Sequence, residues 1–118
     1  MKLPGEATLV RVFVGESDHR GRVPLYEHIV RKARELGVAG ATVLRGVMGY
    51  GAHSRLHTAK LLRLSEDLPV VVELVDTEDN LRPLLEYLDE TVEEGLITME
   101  KVQVIRYRAK GRQAGPGA

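Results

Sequence analysis

Two runs of β-branched residues constrain the fold of this 118-residue sequence more than any other feature. Residues 8–14 and 68–75 are dominated by Val and Leu; the first run ends at Gly15, and Pro69 introduces the second. Each run predicts a strand. Both runs are apolar at odd and even positions, and successive side chains of a strand point to opposite faces. A sheet that contains these strands therefore has two apolar faces.

The two faces differ in how a small domain can cover them. Alternation along the paired strands assigns one face to Val10, Val12, Val14, Val70, Val72 and Leu74. It assigns the second face to Leu9, Phe13, Val71 and Val75. Arg11 and Glu73 are the exceptions on the second face, where they can pair across adjacent strands. Since helices cover only one face of such a sheet, the second face predicts a homo-oligomer that buries it.

Helical spacing predicts two helices. The first begins at Pro24 and ends at Gly37. Its apolar residues are Leu25, Ile29, Ala33 and Leu36. The second is capped by Thr77 or Asp79 and ends at Gly95. Its apolar residues are Leu81, Leu85, Leu88 and Val92.

The remaining elements complete an α+β order. Residues 41–44 predict a second strand, and Val102, Val104 and Tyr107 predict a fourth. Residues 16–23 are polar and predict a loop. The order β-α-β-β-α-β is that of a ferredoxin-like sandwich, in which the first and third strands are central. We expect one domain over residues 1–108, a long loop at about residues 45–68, and a flexible basic tail at 109–118.

Charge is balanced overall but unevenly distributed. Lys and Arg total 17 and Asp and Glu total 17, so net charge does not attract nucleic acid. There are no cysteines, which fits a cytoplasmic protein. No carboxylate occurs between Glu35 and Glu66, although this stretch contains several Arg, Lys and His residues. A glycine-rich segment without acids favours an anion site, whereas the alternative is a solvated basic face.

The most specific motif is the segment at residues 45–54, Arg-Gly-Val-Met-Gly-Tyr-Gly-Ala-His-Ser. Glycines let a ligand approach the backbone closely, exposed N–H groups can hold an anion, and Arg45 adds positive charge. The alternative is a bulge and turn in a long hairpin. Neither a GxxxxGK[ST] nor a GxGxxG motif is present.

This segment resembles the start of the T-loop of PII signal-transduction proteins, which has a Gly-Phe-Gly core. Four further segments resemble the domain-of-unknown-function 190 family, a bacterial and archaeal PII-like group. They are Gly-Glu-Ser-Asp at 15–18, Pro-Leu-Tyr at 24–26, Leu-Ser-Glu-Asp-Leu-Pro-Val at 64–70 and Gly-Leu-Ile-Thr at 95–98. The resemblance extends over about residues 5–108.

The resemblance implies a trimer of ferredoxin-like subunits with nucleotide clefts between neighbouring subunits. The implied loop side of the cleft comprises Arg45, Gly46, Gly49, Tyr50 and Gly51. The implied opposite side comprises Leu96, Ile97 and Thr98. Arg106 and Arg108 are the implied phosphate contacts. PII proteins have a Gly-Asp-Gly-Lys stretch before the last strand, where this chain has Gly-Leu-Ile-Thr.

The function implied is regulatory rather than enzymatic. We expect a small anionic effector, an adenine nucleotide, and signalling through the loop to a membrane transporter or enzyme. The alternative is a trimeric protein of the CutA type that binds a divalent metal. His53 and His57 have a metal-compatible spacing on a helix, although no HExxH motif or nearby third ligand accompanies them.

Overall fold

The structure, a computed structural model, describes residues 5–51 and 67–110. In chain order its elements are β1 (Gly5–Gly15), β2 (His19–Arg20), β3 (Val23–Pro24), α1 (Leu25–Glu35), β4 (Gly40–Arg45), β5 (Pro69–Asp76), α2 (Glu78–Thr91) and β6 (Leu96–Val104). Most of the predicted long loop, with His53 and His57, lies outside the described residues, as does most of the predicted tail at 109–118.

The main sheet has the strand order β4-β5-β1-β6, and each neighbouring pair is antiparallel. β1 and β5 are therefore central, which confirms the predicted ferredoxin-like α+β fold. Within the described part of the chain, neither helix is long and apolar enough to cross a membrane.

The core lies between the two helices and one face of the sheet, here called the inner face. Its sheet residues are Val10, Val12, Val14, Val70, Val72 and Leu74, and all are buried. The helices contribute Leu25, Ile29, Ala33, Leu81, Leu84 and Leu88. The inner face is therefore the one that strand alternation predicts.

The opposite, outer face is apolar around one ionic group. Leu9, Phe13, Val71 and Val75 on this face are half-buried. Arg11 lies directly opposite Glu73, and its Nε donates to a Glu73 carboxylate oxygen at 3.0 Å, which confirms the predicted pair. Nη1 of Arg11 donates to Glu100 at 2.5 Å. The hydrogen bond to Glu73, and then that to Glu100, raises the pKa of the guanidinium above its ordinary value.

Four local predictions are wrong. α2 ends at Thr91 and not at Gly95. β6 begins at Leu96, well before Val102, because residues 96–104 pair along the whole length of β1. The loop predicted at residues 16–23 contains the short hairpin of β2 and β3. Leu84, which the predicted stripe of α2 omitted, is fully buried, whereas Leu85 is half-buried. For β6 and Leu84, pairing or packing with a distant element decides the outcome, whereas β2 and β3 pair with each other locally.

One end of the sheet, here called the far end, is closed by the buried carboxylate of Asp76. This carboxylate accepts hydrogen bonds from the N–H of Ala39 (2.9 Å), the N–H of Thr77 (2.6 Å) and Nδ2 of Asn80 (3.2 Å). The hydroxyl of Tyr107 donates to the Ala39 carbonyl at 2.7 Å. The chain after β6 is thus anchored at the far end; the predicted domain boundary at residue 108 stays a prediction.

Candidate functional site

A cavity of about 390 Å³ lies at one end of the sheet. The buried Asp76 is at the other end, the far end. At the cavity, β1 ends, β5 begins and β6 begins, and the chain leaves β4 for the long loop. The described lining consists of Phe13, Val14, Gly15, Asp18, Gly49, Tyr50, Gly51, Asp67, Pro69, Glu94, Gly95 and Leu96. Its volume is in the range of small-molecule sites, roughly 300–1,000 Å³.

Glycines at the root of the long loop pack closely against Pro69. The N–H of Gly46 donates to the Pro69 carbonyl at 2.7 Å, and a Cβ at Gly46 would lie 2.8 Å from Pro69 Cγ. Gly49 has φ +156°, and a Cβ there would lie 3.2 Å from the same atom. A Cβ at Gly51 would have no heavy atom within 4 Å. The close packing of Gly46 and Gly49 brings Gly51 to the cavity wall.

The turn before β6 forms the opposite wall, and Gly95 decides its geometry. Gly95 has φ +152°, a conformation that side chains other than glycine rarely adopt. A Cβ at this position would lie 2.6 Å from the Phe13 carbonyl oxygen and 3.1 Å from Val92 Cγ1. The turn can therefore approach β1 closely enough to start β6 at Leu96.

Backbone hydrogen bonds hold two carboxylates at the turn after β1. Asp18 accepts from the N–H of Gly15 at 2.9 Å, and Asp67 accepts from the N–H of Ser17 at 2.9 Å. A Cβ at Gly15 would lie 2.8 Å from both carboxylate oxygens of Asp67, so the carboxylate rests against a bare α-carbon. These contacts fix the carboxylates on the cavity wall.

The described lining of the cavity is acidic, whereas the acid-free segment favoured a site for an anion. Asp18, Asp67 and Glu94 line the cavity, and the lining formed by residues 5–51 and 67–110 contains no Lys, Arg or His. Arg45 forms an ion pair with Glu16 and does not line the cavity. The acid-free segment therefore does not make this part of the site basic, because other segments of the chain bring carboxylates to it.

The structure divides the predicted site residues by position. Those in the lining are Gly49, Tyr50, Gly51 and Leu96. Gly46 packs beneath them on Pro69. Ile97 lies opposite Val12 on the inner face, and Thr98 lies opposite Arg11 on the outer face.

Arg106 and Arg108 lie at the far end of the same subunit. They follow β6, whose last residue, Val104, is paired with Gly5. The intervening Tyr107 is hydrogen-bonded to Ala39 beside Asp76. β6 has nine residues from Leu96 to Val104, a length of roughly 25–30 Å. The two arginines are therefore distant from the cavity of their own subunit.

Sequence reasoning missed several lining residues. They are Phe13, Val14, Gly15, Asp18, Asp67, Pro69, Glu94 and Gly95. The sequence contained a signal for some of these residues. Two of the segments that carried the family resemblance include Gly15, Asp18, Asp67 and Pro69.

The carboxylates of the cavity do not form a metal site within the described segments. There, no three His, Asp or Glu side chains are grouped to hold a metal ion, although three carboxylates line the cavity. The carboxylates are therefore distributed around the wall.

The fold is that of PII-like proteins. CPII from Thiomonas intermedia K12, bound to ADP and bicarbonate, has a TM-score of 0.62 and 20% identity, over 86% of this chain and 90% of CPII. A putative PII-like signaling protein from Thermus thermophilus has a TM-score of 0.58 and 19% identity, over 86% of this chain and 91% of that protein. At these identities the similarity establishes the fold.

Sequence comparison then gives the family. Residues 7–104 match the model of the family DUF190, described as Uncharacterized ACR. A UPF0166 protein of Aquifex aeolicus is 39% identical over 97 residues, which are 82% of this chain and 91% of that relative. A UPF0166 protein of Methanocaldococcus jannaschii is 32% identical over 102 residues, 86% of this chain and 94% of that relative. The chain belongs to the DUF190 family, which confirms the resemblance in its sequence.

Proposed function

We propose that this chain is a cytoplasmic, non-enzymatic regulatory protein that binds an adenine nucleotide in the described cavity. The observation that carries the proposal is the composition of its walls, because the root of the long loop and the turn before the last strand face each other across it. CPII, which shares the fold, was solved with ADP and bicarbonate. A ligand in the cavity contacts Gly49, Tyr50 and Gly51, so binding can change the loop that engages a transporter or enzyme partner.

The site is completed by a neighbouring subunit of a homotrimer. The described lining supplies no cation for a phosphate, and Arg45 is engaged by Glu16. Arg106 and Arg108 are at the opposite end of their own subunit. They can reach a cavity only across a subunit interface, where an arginine forms strong charge-assisted hydrogen bonds with a phosphate.

The direct test of nucleotide binding uses Gly51→Val. Gly51 lines the cavity, and a Cβ there meets no heavy atom within 4 Å, so the substitution fills the cavity without a backbone clash. We expect affinity for ADP to fall roughly 10- to 100-fold, the equivalent of 1–3 kcal/mol of overpacking. Isothermal titration with AMP, ADP, ATP and cyclic nucleotides measures the loss.

The matched control is Gly40→Ala, at the far end of β4, where an added Cβ also has no neighbour within 4 Å. This variant should bind ADP like the wild type, and light scattering should give the same oligomer for both variants. If no nucleotide binds the wild type below about millimolar, and a divalent metal binds through His53 and His57, the proposal fails in favour of the CutA-like alternative.

The inter-subunit part of the proposal is tested with Arg106→Ala and Arg108→Ala. Each should weaken ADP binding roughly tenfold or more, should affect adenosine much less, and should reduce the salt dependence of ADP binding. These differences follow because the arginines contact the phosphates alone. Equal losses for ADP and adenosine would contradict the assignment.

Mixed oligomers separate the two halves of the site. The Gly51→Val chain has a blocked cavity, and the Arg106→Ala/Arg108→Ala chain has no phosphate contacts. The two chains are dissociated, mixed in equal amounts and reassembled. About a quarter of the sites should then bind ADP, because these sites pair an intact cavity with the intact arginines of a neighbour. No recovery would show that the halves do not meet across the interface.

A further inference from the structure

The cavity contains two carboxylates whose positions are fixed without any ligand. Asp18 is held by its hydrogen bond from the Gly15 N–H, and its own carbonyl accepts from the Leu25 N–H at 2.8 Å. Asp67 is held by its hydrogen bond from the Ser17 N–H and by packing against the α-carbon of Gly15. Neither group forms an ion pair within the described residues.

The surroundings decide which chemical groups can occupy this wall. Phe13, Val14, Tyr50, Pro69 and Leu96 supply apolar surface next to the carboxylates. A ligand that covers a carboxylate without donating a hydrogen bond leaves it desolvated and unpaired, which is unfavourable. A phosphate is mostly deprotonated at neutral pH, so it is a poor donor to these carboxylates, and it carries the same charge as the wall. A flat apolar ring with hydroxyl or amino donors satisfies both the apolar surface and the carboxylates.

We infer that Asp18 and Asp67 are the acceptors that recognise the hydroxyl and amino donors of the nucleoside part of the ligand. The inference rests on the proposed function and adds a direction to it, because the nucleoside occupies the acidic wall and the phosphates point away from it. The two residues are then determinants of specificity: they favour ligands that carry these donors over ligands of the same shape without them.

The test is a cycle that alters the carboxylate and the ligand donor separately. Asp67→Asn and Asp18→Asn each keep an oxygen that can accept from the backbone N–H, and each removes the charge. The ligands are ADP, 2′,3′-dideoxy-ADP, which lacks the sugar hydroxyls, and purine riboside diphosphate, which lacks the 6-amino group. Asp89→Asn, an exposed residue of α2, is the control with the same change of charge.

In the wild type, removal of the donors that face the carboxylates should weaken binding roughly tenfold or more. In the variant that lacks the matching carboxylate, the same ligand change should cost little, because the interaction is already lost. The ligand that shows this coupling identifies whether sugar or base donors are bound. Asp89→Asn should keep the wild-type ratios.

The outcomes separate the inference from the proposed function. A purely structural role of Asp18 and Asp67 would weaken ADP and both analogues by the same factor, and unchanged ratios in both variants would overturn the inference while ADP binding stands. Failure of the wild type to bind ADP would overturn the proposed function, and the inference with it.

Discussion

Val71→Glu should dissociate the oligomer that we propose. Val71 lies on the central strand β5, between Phe13 of β1 and Leu44 of β4 on the outer face. Phe13 and Val71 are half-buried in a single subunit, and Leu44 is 48% exposed, which leaves apolar surface for a second copy to cover. An uncompensated charge buried at this interface costs on the order of 3–5 kcal/mol per subunit. Light scattering at micromolar concentration measures the change in mass.

Val71→Gln is the matched control, because it has the size and shape of the Glu variant without the charge. We expect it to assemble more weakly than the wild type but far better than Val71→Glu. Both variants should keep the circular dichroism of the wild type, since the core lies on the inner face. A Val71→Glu protein with the mass of the wild type would show that the outer face is not the interface.

Gly95→Ala should give a larger loss of stability than the other glycine substitutions proposed for this chain. The new Cβ would lie 2.6 Å from the Phe13 carbonyl oxygen, a backbone atom of a central strand that cannot move without displacing β1. The residue also has φ +152°, which alanine rarely adopts. Strain and overpacking together should lower the free energy of unfolding by roughly 3 kcal/mol. Urea denaturation at one protein concentration measures this loss.

Gly37→Ala separates the two causes. Gly37 also has a positive φ, +78°, but a Cβ there would meet no heavy atom within 4 Å. Gly37→Ala should therefore lower the free energy of unfolding only by the cost of backbone strain, about 1 kcal/mol. If Gly95→Ala loses no more than Gly37→Ala, the close approach of the turn to β1 does not contribute to stability.

Local pattern was sufficient for much of the fold. The runs at residues 8–14 and 68–75 were recognisable as strands, so the inner and outer faces and the Arg11–Glu73 pair followed from strand geometry. The central positions of β1 and β5 followed from the β-α-β-β-α-β order. Side-chain alternation has a fixed period of two, so a correct strand assignment fixes the face of every residue in it. Thr77 as the cap of α2 was one of two local candidates, and its side chain accepts from the Asn80 N–H at 3.3 Å.

The start of β6 could not be predicted in the same way. Residues 96–101 form a strand because β1 offers them a full-length partner, and Gly95 permits the turn that brings them there. The glycine is local to this strand, but its pairing partner β1 is not. The sequence could predict the type of this element, but its first residue depends on a strand about eighty residues away.

The candidate site also combines features that the sequence predicted with features that only the tertiary structure decided. The sequence by itself predicted a glycine-rich segment at residues 46–51, because glycine lets other groups approach the backbone closely and tolerates positive φ. Only the tertiary structure decided the charge of the cavity, since Asp18, Asp67 and Glu94 come from three separate segments that meet at one end of the sheet. It also placed Arg106 and Arg108 at the opposite end. Electrostatic interaction depends on distance in space, and the folded sheet, rather than the order of residues along the chain, sets those distances.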